Sequence, residues 1–342
     1  MSLNSTRGQN MSWTTSIRPW VLAVTVALAV VACNPQPGGE GAPGRVRRLS
    51  IATGGTGGVY YPYGGGIAKI ISENLAGVEA TAEATAASVD NLKFLRDGRS
   101  DIAFSMADTA GDAALGQGPF SEVGRVPIRS LAVLYSNYLH LVTRADTGIA
   151  TVADLKGRVV STGAPGSGTE VVAFRVLEAL GVNPKTDLRT QALGATQSVD
   201  ALKDGKLDAF FFTGGLPTAA VLDLTHTPGL TAKLIATDDA LPKLRAQYGE
   251  GLYYPIVIPK AVYGMAQDVT VVGIANLLLV SESMPETLAY DITRLLFEKQ
   301  SELVAIHPQA RDLLLTTATQ GSPVPFHPGA IRYYTEQHAW KP

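Results

Sequence analysis

The sequence of 342 residues predicts an α/β protein made of two similar lobes with a ligand cleft between them. Apolar residues make up 46% of the chain and charged residues 17%, which suffices for the cores of about two domains. Glycine-rich loops separate strand patterns from helix patterns. A helix-to-strand segment also occurs twice, about 110 residues apart, which indicates two related lobes.

The charge and the cysteine content exclude several classes of protein. There are 28 Lys and Arg against 30 Asp and Glu, so the formal charge is -2 and no basic field is available to hold nucleic acid. The single cysteine, Cys33, excludes an internal disulfide.

The N-terminal segment has the pattern of an export signal. Arg7 and Arg18 are the only charges before the apolar run from Trp20 to Ala32. A spanning helix needs about 20 apolar residues, and this run is shorter. We therefore expect residues 1–32 to be a signal peptide and the mature protein to lie in the periplasm.

The end of that run resembles the lipobox of bacterial lipoproteins, Val30-Val31-Ala32-Cys33. The resemblance implies a lipid on Cys33 that anchors the protein to a membrane, with the Pro- and Gly-rich residues 33–45 as a tether. The alternative is an ordinary signal cut near Ala32, which leaves Cys33 as a free thiol.

The folded part begins near residue 46 with a strand, a glycine loop and a helix. A strand is predicted over 48–53, a loop over 54–58 and a helix that ends at Gly77. A second helix is expected from Ser88, followed by a strand over 101–106.

The segment from Ser88 onward recurs in the second half of the chain. A helix over 198–203 and a strand over 208–214 repeat its cap, its Asp-Gly turn and its strand in the same order. The apolar stretches 139–144 and 271–280 bracket this second copy and are interpreted as strands that cross between lobes. The predicted lobes are therefore 46–140 plus 275–342, and 141–274.

Two loops approach known nucleotide motifs without matching them. The loop 55–60 lacks the third glycine of a dinucleotide fingerprint, because Tyr60 stands there. The loop 163–170 has Thr169 where a phosphate loop has lysine. No nucleotide cofactor is expected.

The sequence offers no set of catalytic or metal-binding residues. The histidines are scattered, and neither a zinc spacing nor a nucleophile elbow occurs. Neither an enzyme nor a metal protein is expected, and Asp108 is expected to cap a helix. The alternatives are a hydrolase that uses Ser167 or Ser105, and a sensory or adhesive lipoprotein.

Several loops are suited to hold a small anion. Ser167 to Glu170 form a predicted capping box that opens a helix ending near Leu180, and a helix N-terminus attracts carboxylates. An ordinary capped helix is the alternative. Thr56-Gly57-Gly58 and Thr213-Gly214 also combine a hydroxyl with glycine after a strand. Ser88 and Asn91 share a helical turn, where Ser88 caps the helix or both contact ligand.

These motifs together resemble the TAXI family, the solute-binding receptors of one class of tripartite ATP-independent periplasmic (TRAP) transporters. The resemblance covers nearly all of 49–340. The matching segments are 52–62 (ATGGTGGVYYP), 88–92 (SVDNL), 103–108 (AFSMAD), 139–142, 152–157, 163–170, 208–211 and 325–334.

The resemblance implies a type II periplasmic-binding-protein fold. Such a protein closes on a small organic acid, an amino acid or a dicarboxylate such as glutamate, and delivers it to a TRAP permease. Met106 departs from the more polar residue expected there. The implied ligand residues are Thr56, Gly57, Gly58, Tyr60, Ser88, Asn91, Ser105, Met106, Ser167, Gly168, Thr169, Thr213 and Gly214.

Overall fold

The computed structural model describes residues 46–340 as one mixed α/β unit. The predicted signal peptide, Cys33 and the predicted tether lie outside the described residues. The strands are β1 (Arg47–Ala52), β2 (Val78–Glu83), β3 (Ile102–Met106), β4 (Ile128–Arg144), β5 (Val159–Ser161), β6 (Arg189–Gln191), β7 (Ala209–Gly214), β8 (Ala232–Leu234), β9 (Tyr254–Ile258) and β10 (Val269–Ser281).

The helices lie between these strands and after the last one. They are α1 (Tyr60–Asn74), α2 (Ser88–Arg96), α3 (Ala107–Leu115), α4 (Gly168–Ala179), α5 (Ala195–Lys203), α6 (Ala219–Thr225), α7 (Leu241–Tyr248), α8 (Lys260–Tyr263), α9 (Glu286–Glu298), α10 (Gln300–Ile306) and α11 (Pro328–Glu336). None of the helices within 46–340 has the length and apolar character to cross a membrane.

The sheet contains the same β-α-β-α-β unit twice. The first repeat, residues 47–106, has the strand order β2-β1-β3 and meets β10. The second repeat, residues 159–214, has the order β6-β5-β7 and meets β4. Strands within each repeat are parallel. The predicted duplication is therefore confirmed, and it extends further than the helix-to-strand segment from which it was inferred.

Two long strands join the repeats, in agreement with the crossing strands predicted from the sequence. β4 and β10 pair antiparallel with each other, from Gly273 opposite Tyr138 to Ser281 opposite Ile128. β10 also pairs with β3, and β4 pairs with β7. Most residues of both strands are buried, as expected for strands that are covered on both faces. The structure is therefore a mixed α/β protein with one central sheet built from two similar units, as the sequence predicts, and the lobe boundaries given above stay a prediction.

Three apolar clusters fill the interior. One lies around α1, β1 and the C-terminal helices α9–α11, and another lies around β7, α5 and α6. The third joins the repeats, because Leu92 of α2 and Val172 and Val176 of α4 belong to the same buried cluster. The two repeats are therefore held together by packed side chains as well as by the crossing strands.

Candidate ligand-binding cleft

One cavity of about 440 Å³ lies among loops from both repeats. Its volume falls within the usual range for small-molecule sites. The lining residues are uncharged throughout. They include Thr56, Gly57, Gly58, Tyr60, Ser88, Met106, Ser167, Gly168, Thr169, Thr213 and Gly214, which are all of the predicted ligand residues except Asn91 and Ser105.

The N-termini of helices α1, α2, α4 and α5 meet at this cavity. Their first residues, Tyr60, Ser88, Gly168 and Ala195, all belong to its lining. Each helix follows a parallel strand of its repeat, so all of them start at the carboxyl edge of the sheet. Helix N-termini carry free N-H groups and a partial positive charge, so the cavity favours a negatively charged ligand group.

The start of α4 differs in one detail from the predicted capping box. The Ser167 hydroxyl accepts a hydrogen bond from the Glu170 N-H at 3.1 Å, as expected. The Glu170 carboxylate accepts from the Gly166 N-H at 3.2 Å instead of from Ser167, whose N-H donates to the Ala164 carbonyl. Partial burial raises the pKa of Glu170, and the Gly166 bond opposes that shift.

Gly168 brings the two repeats into contact at the cavity. A Cβ atom at this position would lie 2.7 Å from the Ser88 hydroxyl and closer still to the Met106 methyl group. The Ser88 hydroxyl accepts from the Met106 N-H at 3.2 Å, so Ser88 does not cap its own helix. The Asp90 N-H donates across the repeats to the Gly166 carbonyl at 3.1 Å. Only glycine fits at position 168 without displacing these groups.

Tyr60 forms a buried wall of the cavity. Its ring packs on Phe104 with 5.1 Å between ring centres. Burial raises the pKa of its hydroxyl well above the ordinary value, while Ser88 and Asn137 act in the opposite direction. The raised pKa keeps the Tyr60 hydroxyl neutral at neutral pH, so it can donate or accept a hydrogen bond.

Thr213 carries a hydroxyl group that faces no hydrogen-bond partner in the described part of the chain. The residue is only 9% exposed, and its Oγ1 has no hydrogen-bond partner among residues 46–340. Its N-H donates to the Thr169 hydroxyl at 3.1 Å, so the main chain is fixed while the side chain stays available. Buried polar groups are normally paired, and an unpaired one at a cavity wall indicates a ligand contact.

Asn91 and Ser105 lie behind the cavity wall, which corrects the expectation that they face the ligand. The Asn91 amide donates to the carbonyls of Thr53 at 2.6 Å and Phe104 at 2.9 Å, and its oxygen accepts from Thr85. The Ser105 hydroxyl donates to the Met106 carbonyl at 3.1 Å. Asn91 therefore ties α2 to the strands β1 and β3, because its whole amide is used within the protein.

Asp108 also has a role that differs from the expected helix cap. Met106 is the N-cap of α3, and the Asp108 carboxylate lies 3.5 Å from Arg175 of α4 and accepts from the Tyr253 hydroxyl at 2.9 Å. Arg175 also binds Asp112 at 2.5 Å. This buried ion cluster joins α3 to α4 outside the cavity, so Arg175 folds inward without reaching the ligand.

Sequence reasoning missed part of the cavity wall. The missed residues include 84–87, 193–197 and Phe212. The start of α5 had a sequence signal in Gly194, which precedes an apolar helix pattern. The segment 84–87 is alanine and threonine and offered no such signal, yet Ala87 adopts a positive φ of 85°. Such strained backbone is frequent at ligand sites.

None of the histidines among residues 46–340 belongs to the cavity lining. His140 contacts the Tyr138 carbonyl at 2.8 Å and the Tyr263 hydroxyl at 3.0 Å, and burial lowers its pKa to about 4. Within residues 46–340, no histidine is bonded to Ser167 or Ser105, and no group of His, Cys, Asp and Glu is arranged to hold a metal ion.

A family comparison and a structure comparison agree with this architecture. The sequence model of the NMT1-like family matches residues 51–337. A solved structure of a protein from Bordetella bronchiseptica RB50 is 19% identical, with a TM-score of 0.51, over 86% of this chain and 90% of that one. At this identity the match supports the fold alone.

Two further structures are similar with lower scores. The periplasmic aliphatic sulphonate binding protein SsuA from Escherichia coli is 14% identical, with a TM-score of 0.45, over 78% of this chain and 75% of that one. The substrate binding protein of an amino acid ABC transporter is 12% identical, with a TM-score of 0.46, over 76% of this chain and 96% of that one.

Proposed function

We propose that this chain, which belongs to the NMT1-like family, is an extracytoplasmic solute-binding protein that captures a small organic acid for a membrane transporter. The observation that carries the proposal is the meeting of the helix N-termini of α1, α2, α4 and α5 at one uncharged cavity. The unpartnered Thr213 hydroxyl is the second indication of a ligand there.

Lobe closure is the proposed mechanism. The lining comes from both repeats, so a bound acid contacts both and stabilises the arrangement in which they touch. The contact of Gly168 with Ser88 and Met106 is one that separation of the repeats would break. A transporter that recognises the closed form would thereby distinguish the loaded receptor from the empty one.

The proposed ligand class is an amino acid or a dicarboxylate such as glutamate, and the proposed partner is a TRAP permease. The TAXI-like motifs support both the ligand class and the partner.

A TRAP permease uses an ion gradient, whereas an ABC importer uses ATP. Uptake of a labelled acid by cells that carry the receptor and its permease should therefore stop when an ionophore collapses the gradient at constant ATP. Continued uptake would indicate an ABC importer.

The periplasmic location and the lipid anchor on Cys33 are proposed from the N-terminal sequence. Radiolabelled palmitate should appear in the wild-type protein, and Cys33→Ala should abolish the label and move the protein to the soluble fraction. An unlabelled wild type would favour an ordinary signal peptide.

Thermal melting of the full-length chain tests the receptor proposal. A ligand that binds only the folded state raises the melting temperature by mass action. Amino acids, dicarboxylates, 2-oxo acids and small apolar acids form the panel. At least one class should raise the melting temperature in a saturable manner. If every acid fails to do so, the receptor proposal is wrong.

A further inference from the structure

We infer that the cleft binds a carboxylate without an ammonium group, such as a 2-oxo acid, more tightly than the amino acid of the same carbon skeleton. This inference rests on the proposed capture of a small organic acid in the same cavity, and it narrows the proposed ligand class to acids that lack an ammonium group. It follows from the uncharged lining and from the hydrogen bonds that several neighbouring acceptors already accept.

The first observation is the electrostatic character of the lining. It contains neither Asp nor Glu, and four helix N-termini point their partial positive charge at it. These dipoles stabilise a carboxylate. They oppose an α-ammonium group, which is expensive to desolvate unless a negative group pairs with it.

The second observation concerns the carboxylates that lie near the lining. Glu170 accepts from the Gly166 N-H, and Asp108 is paired with Arg175 and Tyr253. The Asp90 carboxylate lies against Gly166, which is outside the lining. None of these carboxylates belongs to the cavity wall, so none is placed to pair with an ammonium group there.

The third observation concerns backbone carbonyls, the remaining acceptors for an ammonium group. Several carbonyls of the lining loops already accept hydrogen bonds from within the protein. These are Gly55 from the Gly58 N-H, Ala87 from the Asn91 N-H, Ala164 from the Ser167 N-H, Leu193 from the Ser198 hydroxyl and Gly194 from the Ser198 N-H. The first N-H groups of each helix have no acceptor within their own helix, and the Thr213 hydroxyl has no partner among residues 46–340. These donors, together with the occupied carbonyls, match an anion that accepts hydrogen bonds and does not donate them.

The apolar part of the cavity wall favours an acid that carries an aliphatic chain. Val59, Met106, Leu193 and Phe212 line the same cavity. An aliphatic chain next to a carboxylate would contact these side chains, and a 2-oxo group would accept from the Thr213 hydroxyl or from helix N-H groups. The Met106 side chain contacts an apolar or neutral ligand group more favourably than an ammonium group.

Calorimetry on the full-length chain tests this preference with matched acids. The probes are 2-oxoglutarate against glutamate, 4-methyl-2-oxopentanoate against leucine, and pyruvate against alanine. In the pair that binds, the oxo acid should bind at least about tenfold more tightly, a difference of about 1.4 kcal/mol. An amino acid that equals or exceeds its oxo partner would overturn the inference and leave the receptor proposal standing. No binding by any probe would overturn the inference, whereas the receptor proposal would still be decided by the melting panel.

A charge placed at the start of α5 gives an independent readout. Gln197→Glu introduces a carboxylate into the lining, and Gln191→Glu adds the same charge on β6 outside it. Gln197→Glu should lower the affinity for the oxo acid at least about tenfold and should reduce the ratio between the affinities for the oxo acid and the amino acid. Gln191→Glu should leave both affinities unchanged. Equal effects of the two variants would contradict the inference.

Discussion

Gly168 of α4 lies so close to Ser88 of α2 that a Cβ atom on the glycine would be 2.7 Å from the serine hydroxyl. Two helix N-termini, one from each repeat, therefore meet at a single point of the cavity wall. The absence of a side chain permits this approach, and the approach sets the distance across the cleft.

Gly168→Ala should weaken acid binding because the added methyl group separates the repeats at this point. Overpacking of this kind costs about 1–3 kcal/mol, which corresponds to an affinity about 5- to 150-fold below that of the wild type. Calorimetry would measure this loss of affinity, with the acid that raises the melting temperature most as the ligand.

The matched control for this variant is Gly65→Ala in helix α1. A Cβ atom there would meet no other atom within 4 Å, so affinity should stay unchanged. Melting curves of both variants would separate a binding defect from a folding defect. Wild-type affinity in Gly168→Ala would contradict the proposed geometry of the closed cleft.

Thr213→Val should weaken binding without destabilising the ligand-free protein. The hydroxyl has no partner within the described chain, so its removal leaves no protein group unpaired. Loss of one hydrogen bond to the ligand should reduce affinity about five- to tenfold.

Thr218→Val is the control, because it should lower stability without lowering affinity. Its hydroxyl donates to the Gly215 carbonyl at 2.9 Å outside the lining, so its loss should lower the free energy of unfolding by about 1 kcal/mol and leave affinity intact. Urea denaturation and calorimetry on both variants provide the comparison. A destabilised Thr213→Val protein with normal affinity would indicate that the hydroxyl serves the fold.

Arg175→Met should lower the free energy of unfolding by about 3 kcal/mol or more, because it leaves the buried carboxylates of Asp108 and Asp112 without their cation. Arg332→Met is a matched surface change, since Arg332 also combines a carboxylate partner with a tyrosine ring but is 43% exposed. Its effect should stay below about 1 kcal/mol. Equal effects in urea denaturation would show that the cluster contributes no special stability.

The burial of His140 should make the protein less stable in mild acid. Burial lowers its pKa to about 4 in the folded protein, whereas an unfolded histidine has a pKa of about 6.5. Between these values the unfolded chain binds a proton that the folded chain does not. The free energy of unfolding should therefore fall as pH decreases from 6.5 to 4, by about 3 kcal/mol from this group.

His140→Gln should make that dependence shallower, whereas His226→Gln, at an exposed position, should leave it unchanged. Urea denaturation at several pH values between 4 and 7 would measure the slopes. A wild-type slope in His140→Gln would show that the acid dependence comes from other groups.

Much of the fold was predictable because the local patterns agreed with one another. The helix from Ser88 and the strand that ends at Met106 follow from a polar start, apolar periodicity and an Asp-Gly stop. The repeat of this segment revealed the second half of the sheet. The glycine and hydroxyl loops pointed to the cavity because close backbone approach requires them.

The rest depended on contacts between distant residues, which one sequence does not contain. Asn91 has the same polar character as a ligand residue, and only its bonds to Thr53 and Phe104 show that it serves the fold. Asp108 was expected to cap a helix because its partners Arg175 and Tyr253 lie far along the chain. The alanine-rich wall at 84–87 carried no chemical signal.

A structure determined with the acid that raises the melting temperature most would test the central claim most directly. We expect a carboxylate within hydrogen-bond distance of the N-H groups at the start of α4, with the Thr213 hydroxyl bonded to the ligand and both repeats in contact with it. An acid bound outside this cavity, or one held there by a lysine or arginine side chain, would contradict the account.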